Sequence, residues 1–195
     1  MAQKEEKQEY MSCKAAVKRW EQTSGEYASD ATEVKMLGLL PQLQKLDKSL
    51  AAFESVEKLS LSTNAIEKME FPQFSQLKVL SLGRNRIKRI SGLENVSHSL
   101  EQLWISYNYI EKFDGLFCCT NLHTLFMSHN KVKSWGELGR LQELPALRNV
   151  QFTGNPIYQS EDREENASKV LDRVPQVEQI DGHPVTEAMR SAHEE

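Results

Sequence analysis

At 195 residues, with 24 basic and 28 acidic side chains and a net charge of −4, the chain has the length for one well-cored domain and offers no global attraction for nucleic acid or an anionic membrane. No run approaches the roughly 18 apolar residues of a membrane span, and the opening MAQKEEKQEY lacks the apolar stretch of a secretory leader. Three cysteines without CxxC spacing argue against a disulfide framework or a zinc site, so a soluble, intracellular chain with reduced thiols and no cofactor is expected.

In chain order, SCKAAVKRWEQ from Ser12 predicts a front helix capped by Ser12, with Cys13, Ala16, Val17 and Trp20 on one face. EVKMLGLLPQLQKLDKSL from Glu33 follows as a degenerate first repeat, with Val34 and Met36 inward and no asparagine at its turn. One pattern then recurs: VEKLSLSTNAI, LKVLSLGRNRI, LEQLWISYNYI, LHTLFMSHNKV and LRNVQFTGNPI. Each fits the leucine-rich repeat template, and Asn64, Asn85, Asn108, Asn130 and Asn155 stand 21, 23, 22 and 25 residues apart. Alternating pairs such as Leu80 and Leu82 or Leu103 and Ile105 point inward from one short strand per repeat, giving about six parallel strands. The asparagine amide, which both donates and accepts, joins successive turns. Apolar residues at spacings of three and four predict a short helix or helical turn on the convex side, with Cys119 packed in the column of Phe74 and Val96. The segment ASKVLDRVPQVEQIDGHPV closes the far end through Val170, Leu171, Val174, Val177 and Ile180. The fold expected is an α/β leucine-rich repeat solenoid forming a single domain over 1–195, with a helical cap at 1–32, repeats at 33–158, and a terminal cap and arm at 159–195.

Side chains between the inward pairs face solvent. Reading them across repeats gives Ser60, Ser81, Trp104, Phe126 and Gln151 in one row and Lys58, Val79, Gln102, Thr124 and Asn149 in the row before it. Arg84, Tyr107 and His129 follow just beyond. Trp104 and Phe126 therefore lie side by side on an open sheet, the composition of a binding hot spot. Complete burial of one such ring would yield roughly 4 to 6 kcal/mol gross. The bland alternative is that the terminal arm of the chain covers Trp104. A basic edge is expected from Arg84, Arg86, Lys88 and Arg89, joined by Lys112, Lys131 and Lys133, and suits either an acidic partner or simple solvation. No nucleophile, phosphate loop or metal-ligand pattern supports catalysis, and no spacing of basic and aromatic residues supports RNA binding. His98, His123, His129, His183 and His193 have no partner in a recognised motif.

The run LSLGRNRIKRISGLENVSHSLEQLWISYNYIEKFDGL, with NLHTLFMSHNKVKSWGELGRL and GNPIY after it, resembles the leucine-rich light chain 1 family of axonemal outer-arm dynein. Similarity extends from the front helix to IDGHPV. The resemblance implies a non-catalytic subunit of the ciliary or flagellar axoneme that binds a dynein heavy chain at its microtubule-binding stalk region and modulates engagement with the microtubule. It places the heavy-chain contact on Trp104 and Phe126 with Ser81, Gln102, Thr124 and Tyr107; Val79, His129 and Gln151 share that face. With the aromatic pair as anchor, the basic edge is expected either to lie toward acidic tubulin, a further partner, or to orient the motor by charge. Arg190 matches a basic residue of the family's C-terminal arm, whereas His183 stands where the family has a methionine. The rival expectations are a general scaffold, such as a phosphatase regulatory subunit, and a structural protein that binds microtubules directly.

Overall fold

The computed structural model describes residues 9–191. The first eight residues of the expected front cap and the last four of the arm, His193 among them, lie outside the described residues. The front of the chain forms α1 (Cys13–Ser24) and then β1 (Glu33–Lys35), β2 (Lys58–Ser60), β3 (Val79–Ser81), β4 (Gln102–Trp104) and β5 (Thr124–Phe126). After these come α2 (Trp135–Gly139), β6 (Asn149–Gln151), α3 (Arg163–Leu171), β7 (Gln179–Ile180), β8 (His183–Pro184) and α4 (Glu187–Ser191). All eight strands join one sheet in sequence order. The first seven strands run parallel, and β8 folds back antiparallel on β7.

The register stacks Val34, Leu59, Leu80, Leu103, Leu125, Val150 and Ile180 into one column, and all seven are buried. A strand of three residues cannot be stable alone, so each repeat relies on its neighbours to cover this column. At the front, Ser12 Oγ accepts from the Ala15 N–H at 3.2 Å and starts α1, whose buried face carries Trp20 edge-on to Phe53 with ring centroids 5.2 Å apart. Between β1 and β6 the convex return segments are mainly turns: regular helix there is confined to α2, with 3₁₀ turns at Lys48–Ala52 and Arg140–Glu143. The turns pack closely, and a Cβ at Gly115 would stand 2.1 Å from the Ile90 carbonyl oxygen.

The asparagine column is a continuous hydrogen-bond ladder. Asn108 Oδ1 accepts from the Ile87 N–H at 2.9 Å, while Nδ2 donates to the carbonyls of Leu82, in the preceding repeat, and Ile105, in its own. Asn64, Asn85, Asn130 and Asn155 repeat that arrangement. The terminal repeat substitutes a carboxylate. Asp181 Oδ1 accepts from the N–H groups of Phe152 and Thr153 at 2.7 and 3.0 Å, and Oδ2 accepts from the Tyr158 hydroxyl at 2.5 Å. Burial, reinforced by the Asp181 charge, pushes the Tyr158 phenol well above its ordinary pKa.

Candidate functional site

Each strand from β2 to β6 is followed by a residue of positive φ immediately before the asparagine: Thr63 at 60°, Arg84 at 56°, Tyr107 at 59°, His129 at 55° and Gly154 at 78°. That left-handed step is uncommon for residues other than glycine. Here it is held by the asparagine on one side and by a backbone bond to the next repeat on the other, as in Tyr107 N–H to the Ser128 carbonyl at 2.9 Å. The step turns three flat side chains into a stack. The Arg84 guanidinium lies 4.4 Å from the Tyr107 ring centre, and Tyr107 stacks on His129 at 4.3 Å and 15°. His129 in turn occupies space above Gly154, where a Cβ would come within 2.4 Å of Nδ1.

On the strands themselves Ser81, Trp104 and Phe126 are paired in register across β3, β4 and β5. Trp104 and Phe126 stack with ring centroids 6.0 Å apart and planes 23° apart. Trp104 keeps 40 % of its surface exposed and Tyr107 44 %, whereas Val79, Ser81, Gln102, Phe126 and Gln151 are half-buried. Thr124, expected on this open face, is instead buried, with Oγ1 2.9 Å from His123 Nδ1. It sits in register between Gln102 and Asn149. The described part of the terminal arm leaves Trp104 open. Arg190 donates to the Pro175 and Val177 carbonyls at 2.8 and 2.7 Å, so its guanidinium fastens α4 to the cap.

The basic residues divide into two groups. Arg84 joins the aromatic stack, and Lys133 pairs with Glu111 at 3.3 Å. Arg86, Lys88, Arg89, Lys112 and Lys131 line two adjoining grooves on the flank, together with Lys68 and Tyr109. Charge and spacing on the expected basic edge do not mark these last two. The legible signal for Tyr109 is its place in the column that follows each asparagine, Ala65, Arg86, Tyr109, Lys131 and Pro156, where it stands between two cations.

Cys119 is buried in its predicted column, and Cys118 is exposed beside it with the sulfurs 3.9 Å apart. Among the described residues no group of three or more His, Cys, Asp or Glu could hold a metal ion, and no helix is long and apolar enough to cross a membrane. The arrangement offers a rigid apolar platform bordered by stacked polar rings. Its chemistry is that of recognition.

Comparison with known proteins agrees with the leucine-rich repeat fold. A family model described as leucine-rich repeats in two copies matches residues 75–118. Dynein axonemal light chain 1 of Danio rerio is 45 % identical over 174 residues, covering 88 % of this chain and 91 % of that protein. The Homo sapiens protein of the same name is 45 % identical, with 88 % and 92 % covered. The Chlamydomonas reinhardtii protein is 38 % identical over 178 residues, with 88 % and 89 % covered. Among solved structures, a chain from the Drosophila melanogaster SNF/U2A′ complex matches with a TM-score of 0.50 and 22 % identity, over 83 % of this chain and 79 % of that one, a likeness of fold alone.

Proposed function

This chain belongs to the dynein axonemal light chain 1 family, and on that premise we propose that it is a non-catalytic subunit that docks on an outer-arm dynein heavy chain through the open face of its sheet. The chain acts as one domain over 1–195, and its place of work is the axoneme of a cilium or flagellum. The heavy-chain segment is the microtubule-binding stalk region, so a rigid body fixed there modulates how the motor engages its track. The basic edge orients this body by charge toward an acidic surface.

The observation that carries the reading is the stacked pair of Trp104 and Phe126 at the centre of the face, open to solvent. The exposed two fifths of Trp104 amounts to about 100 Å² of its roughly 250 Å². Covering that area contributes about 2.5 kcal/mol at about 25 cal/mol/Å², less than complete burial would give because the Phe126 ring already shields one side. By the usual conversion of about 1.4 kcal/mol per tenfold, Trp104 alone accounts for roughly 60-fold in affinity. Val79, Ser81, Gln102 and Gln151 around the pair exclude water from the contact, and Tyr107 and His129 border it.

The test is capture of dynein heavy chain from axoneme extract by the intact chain and by a Trp104→Ala, Phe126→Ala variant, with circular dichroism confirming that both fold. Recovery by the intact chain and loss in the variant is the expected result. Equal recovery by both, or recovery by neither, overturns the proposal.

A further inference from the structure

The two flank grooves share a wall made of Lys88, Arg89, Ile90 and Tyr109. One continues toward Lys68 and Arg86 beside Glu67, and the other toward Lys112 and Lys131 beside Glu111 and Asp114. Six cations therefore meet three acids in a chain whose net charge is −4.

The acids are already engaged. Glu111 pairs with Lys133 at 3.3 Å, Asp114 pairs with Arg140 at 2.8 Å, and Glu67 Oε1 accepts from Gln44 Nε2 at 3.0 Å. Arg140 holds the Asp114 carboxyl below the usual carboxylate range. By contrast, no ion pair within the described residues involves Lys68, Arg86, Lys88, Arg89, Lys112 or Lys131. Among the side chains of the described residues Arg86 takes only the Tyr10 hydroxyl, at 3.3 Å. Glu111 and Asp114 are thus neutralised by Lys133 and Arg140, which do not line the grooves, Glu67 keeps its charge under the Gln44 hydrogen bond, and six cations stand against that one uncompensated carboxylate. Tyr109, 49 % exposed, stands between them.

We propose that this flank binds an extended, glutamate-rich segment of a partner protein, laid across the repeats with its carboxylates on Lys88 and Arg89 and its chain over Tyr109. The proposal deepens the reading of the basic edge and does not depend on the heavy-chain contact, which uses the sheet face. From Lys68 to Lys131 the cations come from four successive repeats, three steps of about 4.8 Å, so about 14 Å is spanned. An extended chain advancing about 3.3 Å per residue covers this with four to five residues. A peptide suits the flank better than a nucleic acid. A phosphodiester backbone carries a charge at every step and would set some against Glu67, Glu111 and Asp114, whereas a peptide can present neutral residues there.

The experiment is fluorescence anisotropy with the full chain and a labelled octaglutamate, with octaglutamine and an eight-nucleotide oligothymidylate as comparison probes. The expected result is octaglutamate binding that weakens as salt rises, with weaker binding of both comparison probes. A Lys88→Glu, Arg89→Glu variant, both positions being exposed, should lose at least tenfold in affinity, and Tyr109→Ala several-fold. The Trp104→Ala, Phe126→Ala variant should bind octaglutamate as the parent does. The proposal is overturned by absent octaglutamate binding, by binding indifferent to the Lys88 and Arg89 reversal, or by oligothymidylate binding as tight as octaglutamate. Because this is read on the isolated chain, failure here is distinct from failure of heavy-chain capture.

Discussion

Replacing Asn108 by Ala tests the ladder that gives both surfaces their shape, and the cost can be worked bond by bond. Of the four groups that Asn108 engages, the Leu82 carbonyl also accepts from Asn85, the Ile105 carbonyl also accepts from Asn130, and the Ser106 carbonyl, 3.4 Å away, also accepts from the Arg84 N–H. Each keeps one donor after the change. The Ile87 N–H loses the one acceptor it is given and stays buried. One orphaned donor costs about 1 to 3 kcal/mol and the two shorter carbonyl contacts about 0.5 to 1 each, for a total of about 2 to 5 kcal/mol. At about 2 to 4 °C per kcal/mol for a chain of this length, Tm should fall by about 4 to 20 °C. Asn64→Ala should cost more. The Met36 carbonyl has Asn64 as its donor and no asparagine in its own repeat to replace it, so both that carbonyl and the Leu43 N–H are orphaned. Urea titration followed by circular dichroism measures both variants. A loss below about 0.5 kcal/mol for Asn108→Ala, or a smaller loss for Asn64→Ala than for Asn108→Ala, would refute this accounting.

Tyr158→Phe should lower stability at neutral pH by about 1.5 to 3 kcal/mol, since a hydrogen bond to a charged group is removed from the terminal cap. The raised phenol pKa means that its contribution is complete below the unfolded value of about 10 and lost as pH rises beyond it. Between about pH 10 and 11 the parent should therefore lose stability faster than the Phe variant, and parallel curves in chemical denaturation would contradict the assignment. Native alkylation with N-ethylmaleimide, read by intact mass, should label Cys118 and spare Cys13, whose thiol burial pushes up to about 11, and Cys119, pushed up by burial and by Cys118 beside it. All three should label after unfolding, and native labelling of Cys119 at the rate of Cys118 would show that the convex column is not closed.

The repeat was legible because it is imposed by two separate demands that fall on the same residues. Inward alternation marks the strands, and the asparagine marks the turn, so Leu103, Ile105 and Asn108 are placed by spacing alone. The ends were harder. β7 has only two residues and no asparagine, and its turn is closed by Asp181 and Tyr158, which lie 23 residues apart and carry no shared pattern. On the face, spacing put Trp104 beside Phe126 correctly but could not assign depth. Thr124 occupies a solvent-facing register position and is buried, its hydroxyl turned to His123 Nδ1. The Arg84, Tyr107 and His129 stack likewise follows from a left-handed backbone step that composition does not reveal.

That step also explains why the two proposed surfaces can coexist on one small chain. The three central asparagines are each flanked by one residue directed to the border of the sheet face and one directed to the flank: Arg84 and Arg86 around Asn85, Tyr107 and Tyr109 around Asn108, His129 and Lys131 around Asn130. The asparagine is buried and bonded to the neighbouring repeat on both sides of the amide, so the flanking pair is held at a fixed separation. A partner seated on Trp104 and an acidic segment seated on Lys88 and Arg89 would then be presented with little further ordering of this chain, and the entropy that usually opposes a second contact is reduced. The same rigidity makes the two surfaces independent in sequence. The ladder needs only its asparagines and inward apolar residues, which leaves the residues before and after each asparagine open to specify what is bound.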